Sequence, residues 1–317
     1  MEGGAANHGA ARPVLDPKDI AGELVTVRDY LRFAVSRFTA AGLAFGQGTT
    51  SALDEAAFII LEALGLPIDD INPWLDARLM PAERLRIARL IVERIETRKP
   101  AAYLLGKAYV QGVPFRVDER VIVPRSYIGE VLAAGHFDGE GLALIDDAAG
   151  VERVLDLCTG SGCLAILAAM TFANARVDAV DVSGDALQVA RANVADHGLE
   201  ERVMLHQGDL YEPLGPARYD LILTNPPYVD AKGMADLPPE FRHEPTLALA
   251  AGADGLDIVR RIIAGAGGHL KAGGGLLCEV GRAGTVLEAT FPDLVFLWLD
   301  TEESQREVFW LPAEALV

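Results

Sequence analysis

Basic residues are what this chain has too few of. Only 28 Lys and Arg stand against 46 Asp and Glu, giving a formal net charge of -18 and a pI of about 4.7. Such a surface repels a phosphate backbone, so tight direct nucleic-acid binding is not expected. The same field draws in a basic protein, although attraction of this kind sets encounter rate more than partner identity. Cysteine is scarce too, with only Cys158, Cys163 and Cys278. An odd count in a long chain provides no disulfide framework, and no paired Cys/His spacing points to zinc, so no metal is expected. No uninterrupted apolar stretch reaches the roughly 18 residues needed to span a bilayer. The N-terminus has no basic segment followed by an apolar core. These absences describe a cytoplasmic protein without a membrane contact.

What is present suits a globular chain. Half of its 317 residues are hydrophobic and 23% are charged, and the length favours two domains. No internal repeat or low-complexity tract stands out. Residues 1–20 are rich in Gly and Ala and read as a flexible tail. Residues 21–105 read as a helical domain. Leu24, Val27, Leu31, Ala34 and Phe38 recur at near-helical spacing. A second helix is expected from Ser51 to Leu64, with Glu55 near the capping position, and a third from Pro81 to a stop before Pro100. Nothing in this bundle looks catalytic. Residues 106–150 read as a β-hairpin and a linker. Strand formers fill 106–124 around Gly112, Pro114 and Asp118. A short helix is expected over 126–134, and 137–150 is weakly patterned.

From residue 151 to 317 strands and helices alternate. Strands are expected at 151–157, 177–182, 203–207, 219–224, 274–280, 294–299 and 307–311, and helices at 163–172, 185–197 and 255–264. Alternation of this kind implies an α/β fold with a mostly parallel sheet covered on both faces. The last two strands have no helix-length connection, which suggests an antiparallel pair at one edge.

The first of these strands runs into Asp156-Leu157-Cys158-Thr159-Gly160-Ser161-Gly162-Cys163. Small residues in a strand–turn–helix let a ligand approach the backbone. Cys158 stands where a dinucleotide loop has its first glycine, so the turn is a poorer pyrophosphate cradle. A ligand without phosphates, such as S-adenosylmethionine, fits better, and Asp156 is placed for the amino group of its methionine part. Asp181 ends the second strand, 21 residues after Gly160, where a carboxylate accepts both ribose hydroxyls of an adenosine. Asp209, followed by Leu210, comes after the third strand and is placed for the adenine amine. A glycine turn or a strand-end Asp alone is often only structural. Three such features in order, each at a strand's carboxyl end, indicate a nucleoside ligand.

The fourth strand leads directly into Asn225-Pro226-Pro227-Tyr228. An amide nitrogen shares its lone pair with its carbonyl and is a weak nucleophile. To methylate it, an enzyme must hold the NH2 in line with the donor methyl and polarise it with acceptors. Asn225 offers a side-chain carbonyl. Pro226 offers a backbone carbonyl without a competing N–H. Two prolines stiffen the turn, so both acceptors are pre-aimed. Tyr228 supplies a flat face for the amide. A proline pair alone would merely end a strand; its place after the fourth strand, downstream of the glycine turn, is what favours chemistry.

These two motifs resemble those of the protein N5-glutamine methyltransferases, over about residues 25–311. The resemblance implies a Rossmann-like class I methyltransferase sheet of seven strands, mostly parallel, with a small helical N-terminal domain for substrate recognition and a connecting β-hairpin. It implies S-adenosylmethionine as cofactor and S-adenosylhomocysteine as product. Cys158, Thr159, Gly160, Ser161, Gly162, Asp181, Asp209, Leu210 and Asn225 would then contact the cofactor, and Asn225, Pro226, Pro227 and Tyr228 would hold the glutamine. One branch of this family methylates peptide-chain release factors, typically with Pro-Arg-Pro-Glu-Thr-Glu after the hairpin. The other methylates the third protein of the large ribosomal subunit. Val123-Pro124-Arg125-Ser126-Tyr127-Ile128-Gly129-Glu130, the Cys-Thr-Gly-Ser-Gly form of the loop and His243-Glu244-Pro245 are similar to the ribosomal-protein branch. Tyr127 departs from it, where proline is frequent. Arg125 either shapes the substrate side or makes a salt bridge within the hairpin. Residues 229–254 form a long insertion expected to cover the site, where Phe241 and His243 could contact substrate; a lone histidine more often packs or faces solvent, so His243 is left unassigned. A DNA amino-methyltransferase would also use a Pro-Pro motif on a planar NH2, but the charge and the lack of a basic target-recognition region oppose it. A non-enzymatic nucleoside-binding module would not need the Asn-Pro-Pro-Tyr turn.

Overall fold

The structure is a computed structural model that describes residues 15–137, 144–145, 147–302 and 304–316. Two compact units divide the chain, one of residues 1–43 and 49–105, the other of 44–48 and 106–317. Most of the expected tail and part of the expected 137–150 linker lie outside the described residues.

The first unit is helical. α1 (Pro17–Glu23) starts inside the expected tail, because Asp16 accepts from Lys18 N at 2.7 Å and Pro17 presets the first turn. α2 (Val27–Ala41) is separated from it by Thr26, which forms a reciprocal capping box with Asp29. Its buried stripe is Val27, Tyr30, Phe33, Ala34 and Phe38, so Leu24 falls outside the helix. α3 (Ala52–Leu64) is capped by Ser51 and ended by Gly65 in the left-handed region. α4 (Pro81–Thr97) stops at Arg98, and α5 (Ala101–Leu105), a helix not expected from the sequence, follows Pro100.

Glu55 does not serve the cap, since Asp54 N already donates to Ser51. Instead it turns inward and pairs with Arg94 at 2.6 Å, and the Thr49 hydroxyl donates to it at 3.0 Å. Both charged side chains are almost wholly buried.

The second unit opens with the hairpin β1 (Lys107–Val110) and β2 (Val113–Arg116), shorter than expected. Residues 121–123 have strand-forming side chains but join no ladder. Val123 N donates to the Glu244 carboxylate instead. α6 (Ile128–Ala133) leads to a sheet built from β3 (Arg153–Leu157), β4 (Arg176–Asp181), β5 (Val203–Gln207), β6 (Tyr219–Thr224), β7 (Leu270–Glu279), β8 (Leu297–Leu299) and β9 (Val308–Pro312). The order is β5-β4-β3-β6-β7-β9-β8. β3 to β7 are parallel, and β9 runs antiparallel to β7 and β8.

Helices α7 (Cys163–Thr171), α8 (Gly184–Asp196), α9 (Ala231–Asp236), α10 (Asp257–His269) and α11 (Gly284–Thr290) complete the unit. Successive strand residues face opposite layers, as the pleat requires. Val154, Leu221 and Leu277 join a core with α7, whereas Leu155, Ile222 and Leu276 join one with α10. Both faces are therefore covered, as a mostly parallel sheet requires. No helix among the described residues is long and apolar enough to cross a membrane.

Removing one partner of the buried pair strands the other charge. Arg94→Leu is expected to lower stability by about 3–5 kcal/mol, while Arg94→Leu with Glu55→Leu recovers most of the loss. Urea unfolding of the two variants checks this.

Candidate active site

The glycine turn after β3 is held from below. Asp156 is fully buried, and its Oδ2 accepts from the Thr159 hydroxyl at 2.6 Å and from Ala165 N at 3.0 Å. One carboxylate thus ties the turn to the first residues of α7. Its Oδ1 has no hydrogen-bond partner among the described residues, and burial pushes the carboxyl up to about 7. Cys158, Gly160 and Gly162 all have positive φ, at 58°, 55° and 81°. Glycine takes this conformation freely, whereas Cys158 adopts it under strain of about 1–2 kcal/mol. A Cβ on Gly162 would sit 3.2 Å from Ala190 Cβ, so this glycine serves close packing of α7 on α8. A Cβ on Gly160 would meet nothing nearer than 4.0 Å.

That open side faces a cavity of about 800 Å³. Cys158, Gly160, Asp181, Asp209, Leu210 and Asn225 line it, together with Val180, Val182, Leu247 and Ile258. Asp181 accepts from Gly160 N and Ser183 N, both at 2.8 Å, and burial raises its carboxyl above the usual range. Asp209 is more exposed and pairs with Arg261 at 2.7 Å. Thr159, Ser161 and Gly162 do not line the cavity; they shape the turn that does. Asp156, expected to meet the methionine amino group, does not line the cavity either, because it is fully buried beneath the turn; the bare Gly160 backbone, the Asp181 acceptor and the apolar walls fit S-adenosylmethionine.

β6 delivers Asn225 beside this cavity. A second cavity of about 570 Å³ is lined by Arg125, Asn225, Pro226, Tyr228, Phe241 and Leu249, among others. Asn225, Ile122 and Ala248 line both. The Asn-Pro-Pro-Tyr turn therefore stands where the two cavities meet. The Tyr228 ring lies over Gly281, whose absent Cβ would be 2.7 Å from the ring, and the Tyr228 hydroxyl donates to Glu279 Oε1 at 3.2 Å.

Of the two readings for Arg125, neither is complete. Its guanidinium makes a two-pronged pair with Glu244 at 2.5 and 2.9 Å, outside the hairpin, and it also lines the second cavity. The 229–254 insertion is more ordered than its composition suggested. It holds α9 and 3-10 turns at Pro239–His243 and Thr246–Ala248, and backbone bonds between Val229 and Leu249 and between Ala251 and Val229 close it. Phe241 lines the second cavity, while His243 lies 3.7 Å from Glu119 and lines neither. Sequence reading passed over Glu244 and Glu279. Glu279 had a usable signal, because it ends a parallel strand just as Asp156 and Asp181 nearly or fully do.

Residues 130–242 match the family described as methyltransferase small domain. The chain is 60% identical over 297 residues to the ribosomal protein uL3 glutamine methyltransferase of Bradyrhizobium diazoefficiens, covering 93% of each protein. It is 54% identical to that of Bordetella pertussis, covering 93% of this chain and 97% of the relative. Among solved structures, the hMettl16 catalytic domain in complex with MAT2A 3'UTR hairpin 1 aligns with a TM-score of 0.47 and 19% identity, over 76% of this chain and 83% of the other.

Asp181→Ala is expected to weaken S-adenosylhomocysteine binding by about 10- to 100-fold, since charged acceptors of this kind contribute most. Asp209→Ala is expected to cost less, because Arg261 already engages that carboxylate in solvent. Isothermal titration calorimetry measures both. A separate expectation concerns pH. Burial holds Glu279 at about 7 against an ordinary 4.5. Between those values the folded chain keeps a proton that the unfolded chain has lost, so this group makes stability fall as pH rises from about 4.5 to about 7. Glu279→Gln should flatten that part of the fall in thermal melts at pH 5 and pH 7.

Proposed function

The chain belongs to the ribosomal protein uL3 glutamine methyltransferases, and from this we propose that it methylates the side-chain amide nitrogen (N5) of a glutamine in the large-subunit ribosomal protein uL3. The observation that carries the reading is the place of Asn225, at the end of β6 and in the wall of both cavities. S-adenosylmethionine in the first cavity would supply an electrophilic methyl group. The chain's own residues do the rest by position. Asp181 and the turn at Cys158–Gly162 hold the cofactor, and Asp209 with Leu210 bounds its far end.

In the second cavity the Asn225 side-chain carbonyl and the Pro226 backbone carbonyl accept from the two amide hydrogens. Both hydrogens are then fixed, and the nitrogen lone pair is directed toward the first cavity. Pro226 and Pro227 cannot donate N–H bonds and have fixed φ, so the acceptors need no reorganisation as charge develops on nitrogen. The ring of Tyr228 bounds the amide on its flat side. The nitrogen forms its bond to carbon first and releases a proton to water afterwards, so no general base is required.

The partner chemistry follows from charge. A ribosomal protein that binds RNA is basic, and the net charge of -18 favours its approach. We assign its recognition to the helical unit and place the reaction in the cytoplasm. The sequence from Val123 to Glu130 and the names of the relatives both favour uL3 over a release factor.

Methyl transfer from radiolabelled S-adenosylmethionine is expected to unmethylated uL3 and not to a release factor. Asn225→Ala should lower kcat by about 10²–10³ while changing S-adenosylhomocysteine affinity by less than about tenfold. Near-normal kcat in that variant, or labelling of the release factor alone, would overturn the reading.

A further inference from the structure

Glu279 is the last residue of β7, and β6 and β7 end together, with Thr224 paired to Cys278. The catalytic turn and Glu279 therefore leave the sheet side by side. Glu279 is 1% exposed. Its Oε2 accepts from the Ser126 hydroxyl at 2.7 Å and from Tyr127 N at 2.9 Å, and its Oε1 accepts from the Tyr228 hydroxyl at 3.2 Å. Two segments far apart in sequence thus converge on one carboxylate. On its other side the Tyr228 ring is bounded by Gly281, where a Cβ would approach the ring to 2.7 Å.

We propose that Glu279 is a positioning residue for methyl transfer, fixing the Tyr228 ring as a wall of the amide cavity by holding its hydroxyl. The role rests on the methyltransferase reading above. A buried carboxylate is costly to retain unless its acceptors are used, and here each oxygen has a donor. Without the carboxylate the Tyr228 hydroxyl loses its partner and the ring is free to rotate about its side-chain bonds. The amide would then enter the cavity with its plane less well defined. Misalignment of a bound group lowers the rate of the chemical step more than it lowers binding. The 3.2 Å hydroxyl contact has room to shorten once the cavity is filled. Ser126 and Tyr127 act from the opposite side, preventing the carboxylate from swinging away from Tyr228.

The test is a set of kinetic measurements on the full-length enzyme with unmethylated uL3. Glu279→Gln keeps the shape and is expected to lower kcat by about tenfold, with KM for S-adenosylmethionine and the affinity for S-adenosylhomocysteine unchanged. Tyr228→Phe, which keeps the ring, should lower kcat by a similar factor. The double variant should be no slower than the slower single one, because both changes break the same link. Ser126→Ala should lower kcat about threefold and also combine less than multiplicatively with Tyr228→Phe. A normal kcat in Glu279→Gln, independent multiplication of its effect with that of Tyr228→Phe, or a loss confined to the cofactor KM would each overturn the proposal. If Glu279→Gln does not fold, the Ser126→Ala and Tyr228→Phe pair decides in its place, and multiplicative effects there would overturn it. Failure of the wild-type enzyme to methylate uL3 would instead sink the function proposed for the site, so the two outcomes are separable.

Discussion

The hydroxyl of Thr224 donates to the carbonyl of Leu157 at 2.9 Å, where β3 and β6 end beside each other. This buried bond joins the two strands from which the glycine turn and the Asn-Pro-Pro-Tyr turn depart. The rest of the site depends on that adjacency. In a parallel sheet the carboxyl ends of neighbouring strands leave unpaired backbone at one rim, and ligands collect there. Here one rim position supplies a strained glycine turn and the next a stiff proline turn. Neither turn alone has a reaction to perform; set side by side, they give Asn225 access to both cavities.

Carboxylates hold this rim together. The chain is strongly acidic, yet several of its acids are buried and used as acceptors. Asp156 ties the glycine turn to α7, Glu244 clamps Arg125 and Val123 N, and Glu240 accepts from Ala44 N at 3.0 Å. Glu279 gathers three donors beside the catalytic turn. A buried carboxylate accepts several bonds at once and binds segments that no regular ladder would join. The insertion after Tyr228 is fixed in this way rather than by packing of a large apolar face.

The chemical motifs were legible because each is contiguous. Cys158–Gly162 and Asn225–Tyr228 need only their own neighbours to show a tight glycine turn and a stiff proline turn at two strand ends. The order of strands and helices was legible for a similar reason, since each short strand-forming segment and each helical segment is contiguous and the two kinds alternate. Short elements were not. α5 spans five residues directly after a proline, and α11 carries no strong amphipathic stripe. Val121 to Val123 have the composition of a strand but belong to none of the strands among the described residues, and Val123 N is satisfied by Glu244. Strand propensity describes fit to a pleated neighbour and cannot supply that neighbour.

Glu55 and Arg125 mark the same boundary. Position in sequence placed Glu55 at a helix start and Arg125 at a hairpin, whereas their partners, Arg94 and Glu244, lie 39 and 119 residues away. The sequence by itself determined the α/β class, the places of the glycine turn after β3 and the proline turn after β6, and the family, because local spacing and backbone stereochemistry encode them. The tertiary structure alone decided which buried acids meet which donors, and that Asn225 lines two cavities at once. Those relations arise from strand order and register, which bring distant residues into a low-dielectric interior where only satisfied charges persist.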